Sequence, residues 1–327
     1  MQWSAYDLLL LSSLNLCVAL AATPASAADG VIEINHTRAL AGGVTPADSP
    51  GFPVTISLPG SYVLTSDLTV NGLDTHGIDV FFDDVTIDLA GFTIQGGCPV
   101  AGCSAGAGNG LAVYAPGNRN EVRDGHVRGF ALGGVALGTR SRITRLMAHD
   151  TGGLGISTGS WADIADSQSH SNPHGAGISA GSNSLIRGCV AHSNGQGGIS
   201  AGAHSIILDS IARINGGSAG ITAASGTLVL GNTSAANSSN GIRATGTGSL
   251  ILENAVSGTT GFGSGGIVLL GAGSVQRNVV SNNIGQSLVF SGSPTGAYRE
   301  NVADLNGGDT GGINIGGNSC HGTPTCP

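Results

Sequence analysis

The sequence contains no lysine, and all 12 of its basic residues are arginine. Charged residues make up 10% of the 327-residue chain, whereas ordinary globular chains have roughly 25%. The net charge is −8 and no basic run is present. A nucleic-acid-binding protein needs a cationic surface, so this composition excludes that class. Aromatic residues are also scarce, at 4%, which argues against a sugar site built on a broad aromatic platform.

Long hydrophobic runs are absent as well. The apolar run over residues 8–20 is shorter than the roughly 20 residues that a bilayer-spanning helix needs. It precedes Ala25-Ser26-Ala27, a small-residue cleavage site. We therefore predict a signal peptide over residues 1–27, cleavage after Ala27, and a secreted, periplasmic or cell-surface protein without a membrane span. A lipid anchor on Cys17 is the alternative, although the leucine before it fits a lipoprotein motif poorly.

Four of the six cysteines lie in pairs. Cys98 and Cys103 are five residues apart, and Cys320 and Cys326 are six apart, each pair with proline and glycine between its members. In an oxidising compartment this spacing predicts two local disulfides, Cys98–Cys103 and Cys320–Cys326. A metal site is the alternative, but neither pair has further ligands at the spacing of zinc sites.

Glycine, in contrast, is abundant: the 57 glycines are about 17% of the chain, against roughly 7% on average. Many of them belong to a glycine–apolar pair that recurs every 21 to 25 residues. The pairs are Gly155-Ile156, Gly177-Ile178, Gly198-Ile199, Gly220-Ile221, Gly241-Ile242 and Gly266-Ile267. Self-similarity at this period indicates a repeat architecture.

A second pattern runs in phase with the first. An apolar residue is followed three positions later by Asn, Ser or Cys, and two positions after that by a small residue. In the later repeats the middle position holds Asn232, Asn254, Asn278 and Asn301, which we expect to stack at one bend and to bond from coil to coil. Cys189 occupies the same inward position, so we interpret it as a buried thiol rather than a nucleophile.

Each repeat is too short for a pair of helices and consists of short alternating runs separated by Gly, Ser and Asn. Short strands joined by turns at a fixed period predict an all-β parallel solenoid. We expect about 10–11 coils of about 21–22 residues, stacked roughly 4.8 Å apart into a rod about 50 Å long. The predicted boundaries are a cap over residues 28–62, the solenoid over 63–315 and a disulfide-closed tail over 316–327.

The repeat resembles the right-handed parallel β-helix proteins with the pectin-lyase-like fold, over about residues 60–315. The segments Gly60-Ser61-Tyr62-Val63-Leu64-Thr65-Ser66-Asp67-Leu68 and Asp84-Val85-Thr86-Ile87-Asp88-Leu89-Ala90-Gly91-Phe92 are similar to the first coils of secreted bacterial members. The resemblance implies a right-handed coil. Proteins with this fold include polysaccharide lyases, hydrolases, uronate epimerases and non-catalytic surface proteins, so the resemblance does not decide the function.

No catalytic motif of that family carries over to this sequence. The hydrolases use clustered aspartates, but the adjacent acidic pair here, Asp83-Asp84, lacks a matching His downstream and is interpreted as a solvated bend. A lysine base is excluded by composition. The catalytic residues therefore stay unknown, the question of enzymatic activity stays open, and no cofactor is predicted.

One outward column carries the candidate binding chemistry. Its members, called the Arg–His column, are Arg128, His149, His170, His192 and Arg213, spaced 21, 21, 22 and 21 residues apart. Imidazoles stacked this closely repel one another when protonated, which favours their neutral form. The column could bind an anion, hold a metal through His149, His170 and His192, or consist of solvated turn residues that stack without a ligand.

Half of the arginines fall within residues 119–145, which is the best candidate for a patch that binds an acidic glycan. The full set of candidate ligand-binding residues is Arg123, His126, Arg128, Arg145, His149, His170, His192, Arg213 and Trp161. We predict a secreted β-helix protein that binds an extracellular acidic polysaccharide. The alternatives are a polysaccharide lyase or glycoside hydrolase with an atypical site, or a structural, adhesin-like rod.

Overall fold

A computed structural model describes residues 30–98, 103–104, 106–261, 264–292, 295–304 and 311–320. Over these residues the chain forms 34 β-strands and one α-helix, numbered in chain order. Each coil contributes one strand to each of three series of parallel strands, called faces 1, 2 and 3. Corner 1 joins face 1 to face 2, corner 2 joins face 2 to face 3, and corner 3 leads from face 3 to the next coil. The prediction of an all-β parallel solenoid is confirmed, with about 11 coils.

Face 1 is a sheet of 11 strands. They are β2 (Val54–Ile56), β5 (Ile78–Val80), β8 (Leu111–Ala115), β10 (Gly133–Leu137), β12 (Leu154–Thr158), β15 (Ala176–Ala180), β18 (Gly197–Ala201), β21 (Ala219–Ala223), β24 (Asn240–Thr245), β27 (Gly265–Leu270) and β30 (Gln286–Ser291).

Faces 2 and 3 belong to one continuous sheet, because β9 (Glu121–Arg128) and β11 (Arg142–His149) run through both. Face 2 also holds β1 (Val31–Ile34), β3 (Gly60–Leu64), β6 (Val85–Asp88), β13 (Asp163–Ala165), β16 (Leu185–Arg187), β19 (Ile206–Leu208), β22 (Leu228–Leu230), β25 (Ser249–Leu252), β28 (Gly273–Gln276), β31 (Ala297–Arg299) and β33 (Ile313–Asn314). Face 3 holds β4 (Leu68–Thr69), β7 (Thr93–Gln95), β14 (Gln168–His170), β17 (Val190–His192), β20 (Ile211–Arg213), β23 (Thr233–Ala235), β26 (Ala255–Ser257), β29 (Val279–Ser281), β32 (Val302–Asp304) and β34 (Ser319–Cys320).

Strand pairing begins before residue 63, at β1, and continues past residue 315, at β34. β1 pairs in register with β3, and Ile34 at its end is fully buried. The helix α1 (His36–Ala41) follows it, with Asn35 as its N-cap and Ala39 buried in the core. At the other end β34 pairs with β32.

The recurring glycine–isoleucine pair has a packing explanation. The isoleucines, such as Ile178 and Ile199, form a fully buried stack inside face 1. A side chain at Gly177 would place its Cβ only 2.6 Å from the Asn194 amide nitrogen, and one at Gly198 would lie 2.8 Å from that of Asn215. Glycine is required at these positions because asparagine amides fill the space beside them.

The predicted asparagine stack lies at corner 2. The backbone and side-chain nitrogens of Asn254 both donate to Asn278 Oδ1 at 2.9 Å, and those of Asn278 donate to Asn301 Oδ1 at 3.0 Å. The spare amide hydrogens bond strand carbonyls, for example Val229 O at 2.9 Å from Asn254 Nδ2. Asn318 extends the stack by one coil.

A second asparagine ladder, which the sequence reasoning missed, lies at corner 3. It comprises Asn172, Asn194, Asn215 and Asn237, all fully buried, and we call it the corner-3 ladder. Asn172 Nδ2 donates to Asn194 Oδ1 at 2.8 Å, and the same bond repeats at 3.0 Å in the next two coils. The spacing of 22, 21 and 22 residues is the signal that could have revealed it.

The other structural predictions have mixed outcomes. Cys98 and Cys103 form a disulfide. Cys189 is fully buried, and burial raises its pKa to about 12, as expected of an inert thiol. The signal peptide over residues 1–27 and the Cys320–Cys326 disulfide lie outside the described residues and stay predictions. In the part of the chain that the structure describes, no helix is long and apolar enough to cross a membrane.

Candidate functional site

The five members of the Arg–His column lie on face 3 in direct register. His149 pairs with Arg128 on one side and His170 on the other, His170 pairs with His192, and His192 pairs with Arg213. The residue before each member points inward and is buried. Because side chains alternate along a strand, this places the column on the outer surface.

The three imidazoles form one stack. The ring centroids of His149 and His170 are 4.9 Å apart with planes inclined by 10°, and those of His170 and His192 are 4.7 Å apart with planes inclined by 6°. These distances equal the spacing of neighbouring strands, roughly 4.8 Å. The in-register strands therefore hold the rings face to face, with one ring in each coil.

The residue after each histidine orients its ring. Asp150, Ser171 and Ser193 turn the chain into corner 3 with positive φ angles of 53° to 56°. His149 Nδ1 lies 2.7 Å from Asp150 Oδ2, whereas the Nδ1 atoms of the other two rings lie 3.2 Å from the Ser171 and Ser193 hydroxyls. Each imidazole thus has Nδ1 engaged, while Nε2 has no hydrogen-bond partner among the described residues.

The electrostatics of the stack favour the neutral forms of His170 and His192 in the free protein. Burial, followed by the charges of His149 and His192, lowers the pKa of His170. Burial and the neighbouring Arg213 lower the pKa of His192. Both shifts have the same cause, because a half-buried cation next to other cations loses hydration and gains repulsion.

The stacked geometry does not favour the metal alternative. Parallel rings aim their nitrogens side by side instead of at one point, and a metal ion needs converging ligands. In the described part of the chain no group of three or more His, Cys, Asp or Glu side chains could hold a metal ion.

Most arginines of the predicted patch are neutralised by carboxylates of adjacent coils. Arg123 lies 2.9 Å from Asp88 on face 2, and Arg145 donates to Asp124 at 2.8 Å at corner 2. The hydrogen bond from Arg145 lowers the pKa of Asp124, which keeps the pair charged. The patch over residues 119–145 is therefore largely a set of inter-coil ion pairs.

The two ends of the Arg–His column differ from that pattern. Among the described residues, five arginines have no carboxylate within ion-pair distance: Arg38, Arg128, Arg140, Arg213 and Arg243. Arg128 donates to the neutral Gln95 side chain at 2.8 Å, and Arg213 is exposed. The column thus carries two cations that no acidic group of the described chain offsets.

The remaining candidates lie apart from the column or beside it. His126 shares β9 with Arg128, two residues away on the same outer face. Trp161 lies at corner 1, 59% exposed, with a φ angle of 64°. Corner 1 joins faces 1 and 2 and does not border face 3, so the structure does not bring Trp161 together with the column.

A groove along face 1, also missed by the sequence reasoning, lies on the other side of corner 3. Three depressions of about 590, 450 and 210 Å³ share Gln196, and the larger two also share His174. His76 lies near one end of face 1, where its nitrogens face Asp79 Oδ1 at 2.6 Å and the Asn109 carbonyl at 3.1 Å. Both nitrogens therefore have partners, and His76 links β5 to the segment that contains Asn109.

Comparison with known proteins agrees with this architecture. The A-module of the mannuronan C-5 epimerase AlgE6 from Azotobacter vinelandii is 14% identical, with a TM-score of 0.56 over 82% of this chain and 91% of that module. The corresponding AlgE4 module is 13% identical, with a TM-score of 0.50 over 80% and 88%. The Dettilon tailspike protein is 13% identical, with a TM-score of 0.54 over 81% of this chain and 61% of the tailspike chain.

These likenesses concern the fold alone, since identity is low in all three cases. No curated protein sequence matches the chain. A family model described as "right handed beta helix region" matches residues 152–321, slightly more than half of the sequence. The chain belongs to the right-handed β-helix family, as its resemblance to those proteins implied.

Proposed function

We propose that this protein binds an extracellular acidic polysaccharide along the Arg–His column. The observation that carries the proposal is that Arg128 and Arg213 have no carboxylate partner in the described chain, although the net charge is −8. Charge-assisted hydrogen bonds from arginine to anions are strong and directional. Two open guanidinium groups lie at the ends of the row, and each of the three imidazole edges between them can donate to an anion when its Nε2 carries a proton.

The shape of this row favours a polymer over a small ligand. Its five members span four strand spacings, or roughly 19 Å. Because the spacing is constant, a linear chain whose anionic groups also repeat can meet several members at once, which raises affinity through multivalency. Two of the fold neighbours are epimerases of mannuronan, so a polysaccharide ligand agrees with the use of this fold elsewhere.

The test is the affinity of oligogalacturonate for wild type and for Arg128→Ala/Arg213→Ala, measured by calorimetry at low salt. We expect binding to weaken at least about tenfold, which corresponds to about 1.4 kcal/mol. Arg140→Ala/Arg243→Ala is the matched control, because it removes the same charge from two unpaired arginines at corner 1 and on face 1. Equal losses in the two double variants would show a general charge effect and contradict the proposal.

The same samples discriminate the two alternatives. New reducing ends released from a panel of neutral and acidic glycans would favour a lyase or hydrolase with an atypical site. No binding to any member of the panel would favour a structural rod.

A further inference from the structure

The Arg–His column is short of negative charge on every side from which it is packed. The charged and titratable groups beside its three rings are Arg128 and His126 from β9, Asp150 directly after β11, and Arg213 from β20. The parallel outward row beside the imidazoles holds the uncharged Met147, Gln168 and Val190. Of the described groups facing the stack, Asp150 is the one carboxylate, and His149 already engages it at 2.7 Å.

This arrangement opposes protonation of His170 and His192 in the free protein. The rings are 4.7 and 4.9 Å apart, half-buried, and flanked by arginines. Burial and neighbouring cations lower the pKa of both His170 and His192. Each added proton would increase repulsion that the described chain does not offset.

A polyanion would reverse that balance. An anionic group beside each Nε2 supplies the missing opposite charge and also accepts a hydrogen bond from the protonated nitrogen. The Nδ1 atoms of His170 and His192 can stay paired with the hydroxyls of Ser171 and Ser193 in either state, because a hydroxyl both donates and accepts. Protonation therefore needs no rearrangement of the turns that orient the rings.

We infer that the imidazoles of His170 and His192 take up protons when the acidic polysaccharide binds, so that each of these two coils presents one cation to one anionic group of the ligand. The inference rests on the proposed function. It adds that binding and proton uptake are linked, because a ligand that favours the charged rings must itself bind more tightly when they are charged. Acid therefore strengthens binding, and a neutral environment weakens it.

The experiment is calorimetry of oligogalacturonate binding at about pH 7.5 and about pH 5.5, in buffers of different ionisation enthalpy. The ligand stays ionised in this range because carboxylic acids titrate near about pH 4, whereas histidine titrates inside it. We expect affinity to rise at least about tenfold at the lower pH, with net proton uptake by the complex. The ring protons of His170 and His192, followed by NMR, titrate at higher pH in the complex than in the free protein.

The double variant His170→Gln/His192→Gln identifies the source of the protons, and His204→Gln is the control, since it removes an exposed imidazole at corner 1. The first variant loses most of the pH dependence and the second keeps it. Binding that is equally tight at both pH values without proton uptake overturns this inference and leaves the proposed function standing. An affinity that still depends on pH in His170→Gln/His192→Gln also overturns it. Absence of binding at both pH values overturns this inference and the proposed function together.

Discussion

Two ladders of polar side chains run through the same coils, two residues apart, and differ in how completely they are hydrogen-bonded. In the corner-3 ladder, Asn194 accepts from Asn172 and donates to Ser169 O at 3.1 Å and to Asn215 Oδ1 at 3.0 Å. In the Arg–His column, His192 uses Nδ1 alone, 3.2 Å from a serine hydroxyl. The corner-3 ladder satisfies its hydrogen bonds within the protein. In the Arg–His column, Nε2 of each histidine has no hydrogen-bond partner among the described residues.

The difference shows that periodicity alone does not separate a structural ladder from a ligand site. Both ladders arise because parallel in-register strands stack equivalent residues at one spacing. A buried amide must be satisfied by the protein itself, because water cannot reach it. An exposed imidazole has no such constraint, so its open nitrogen is available to a ligand. Substitutions in the corner-3 ladder and in the Arg–His column test this difference.

The largest expected effect is the loss of stability when the corner-3 ladder is interrupted. Asn194→Ala removes the acceptor of Asn172 and the donor to Ser169 O and Asn215 Oδ1. Buried groups left unsatisfied cost about 1–3 kcal/mol each, so we expect a loss of roughly 3 kcal/mol or more in the free energy of unfolding. Urea denaturation followed by far-UV circular dichroism measures it.

His192→Ala, two residues earlier in the same coil, is the contrasting variant. We expect it to leave the urea midpoint nearly unchanged and to weaken oligogalacturonate binding. If His192→Ala destabilised the protein as much as Asn194→Ala, the outer column would also be structural, and the contrast between the ladders would fail.

The sequence predicted one ladder and the column but not the corner-3 ladder, for a physical reason. Asn232 and its equivalents repeat through the later coils, whereas the corner-3 ladder is interrupted at both ends by Thr151 and Thr259. Its bonds also depend on glycines across the coil, such as Gly177, which only the packed structure relates to it. Local spacing does not encode those contacts.

Two of the arginine ion pairs are not readable from the sequence, whereas Asp124 and Arg145, 21 residues apart, follow the period. Arg119 pairs with Asp84 and Arg123 with Asp88, each across 35 residues. That separation exceeds the repeat of 21–22 residues because the loop that carries the Cys98–Cys103 disulfide lengthens this coil. Where a coil departs from the period, the sequence does not show which residues become neighbours, so these two ion pairs appear only in the structure.

A smaller effect, this time a gain in stability, is expected at Thr259, where a threonine interrupts the corner-3 ladder. Thr259 is fully buried and its hydroxyl has no partner, although its backbone N–H still donates to Asn283 Oδ1 at 3.0 Å. Thr259→Asn would offer an amide to both neighbouring coils, so we expect a gain of about 1 kcal/mol. Differential scanning calorimetry measures the gain, and the exposed Thr260→Asn serves as the control without one.

His170 and His192 of the Arg–His column make the stability of the protein depend on pH. The pKa values of His170 and His192 are lowered in the folded state, so the unfolded chain binds more protons below its histidine pKa of about 6.5. Stability is therefore complete above that pH and decreases as the pH falls below it. Carboxylates with lowered pKa values, such as Asp124, act in a separate window at lower pH, where they are protonated.

The measurement is the urea midpoint at about pH 7.5 and about pH 5.5. Wild type is expected to lose stability at the lower pH, and His170→Gln/His192→Gln to lose less. Saturating oligogalacturonate is expected to reduce the wild-type loss, because it favours the protonated rings. An unchanged loss in the double variant would place the proton-linked groups elsewhere.

The smallest effect is expected at Trp161, which sharpens the comparison by its location. It lies at corner 1 in the left-handed region, a conformation that is unfavourable for a bulky residue. Asn183, at the equivalent position of the next coil, has a φ angle of 58°, so Trp161→Asn fits the same backbone and is expected to raise stability slightly. Oligogalacturonate affinity is expected to stay within about twofold of wild type, well under the 1.4 kcal/mol of a tenfold change. A larger loss would extend the binding surface to corner 1, and the contrast would then lie between the whole exterior and the buried ladders.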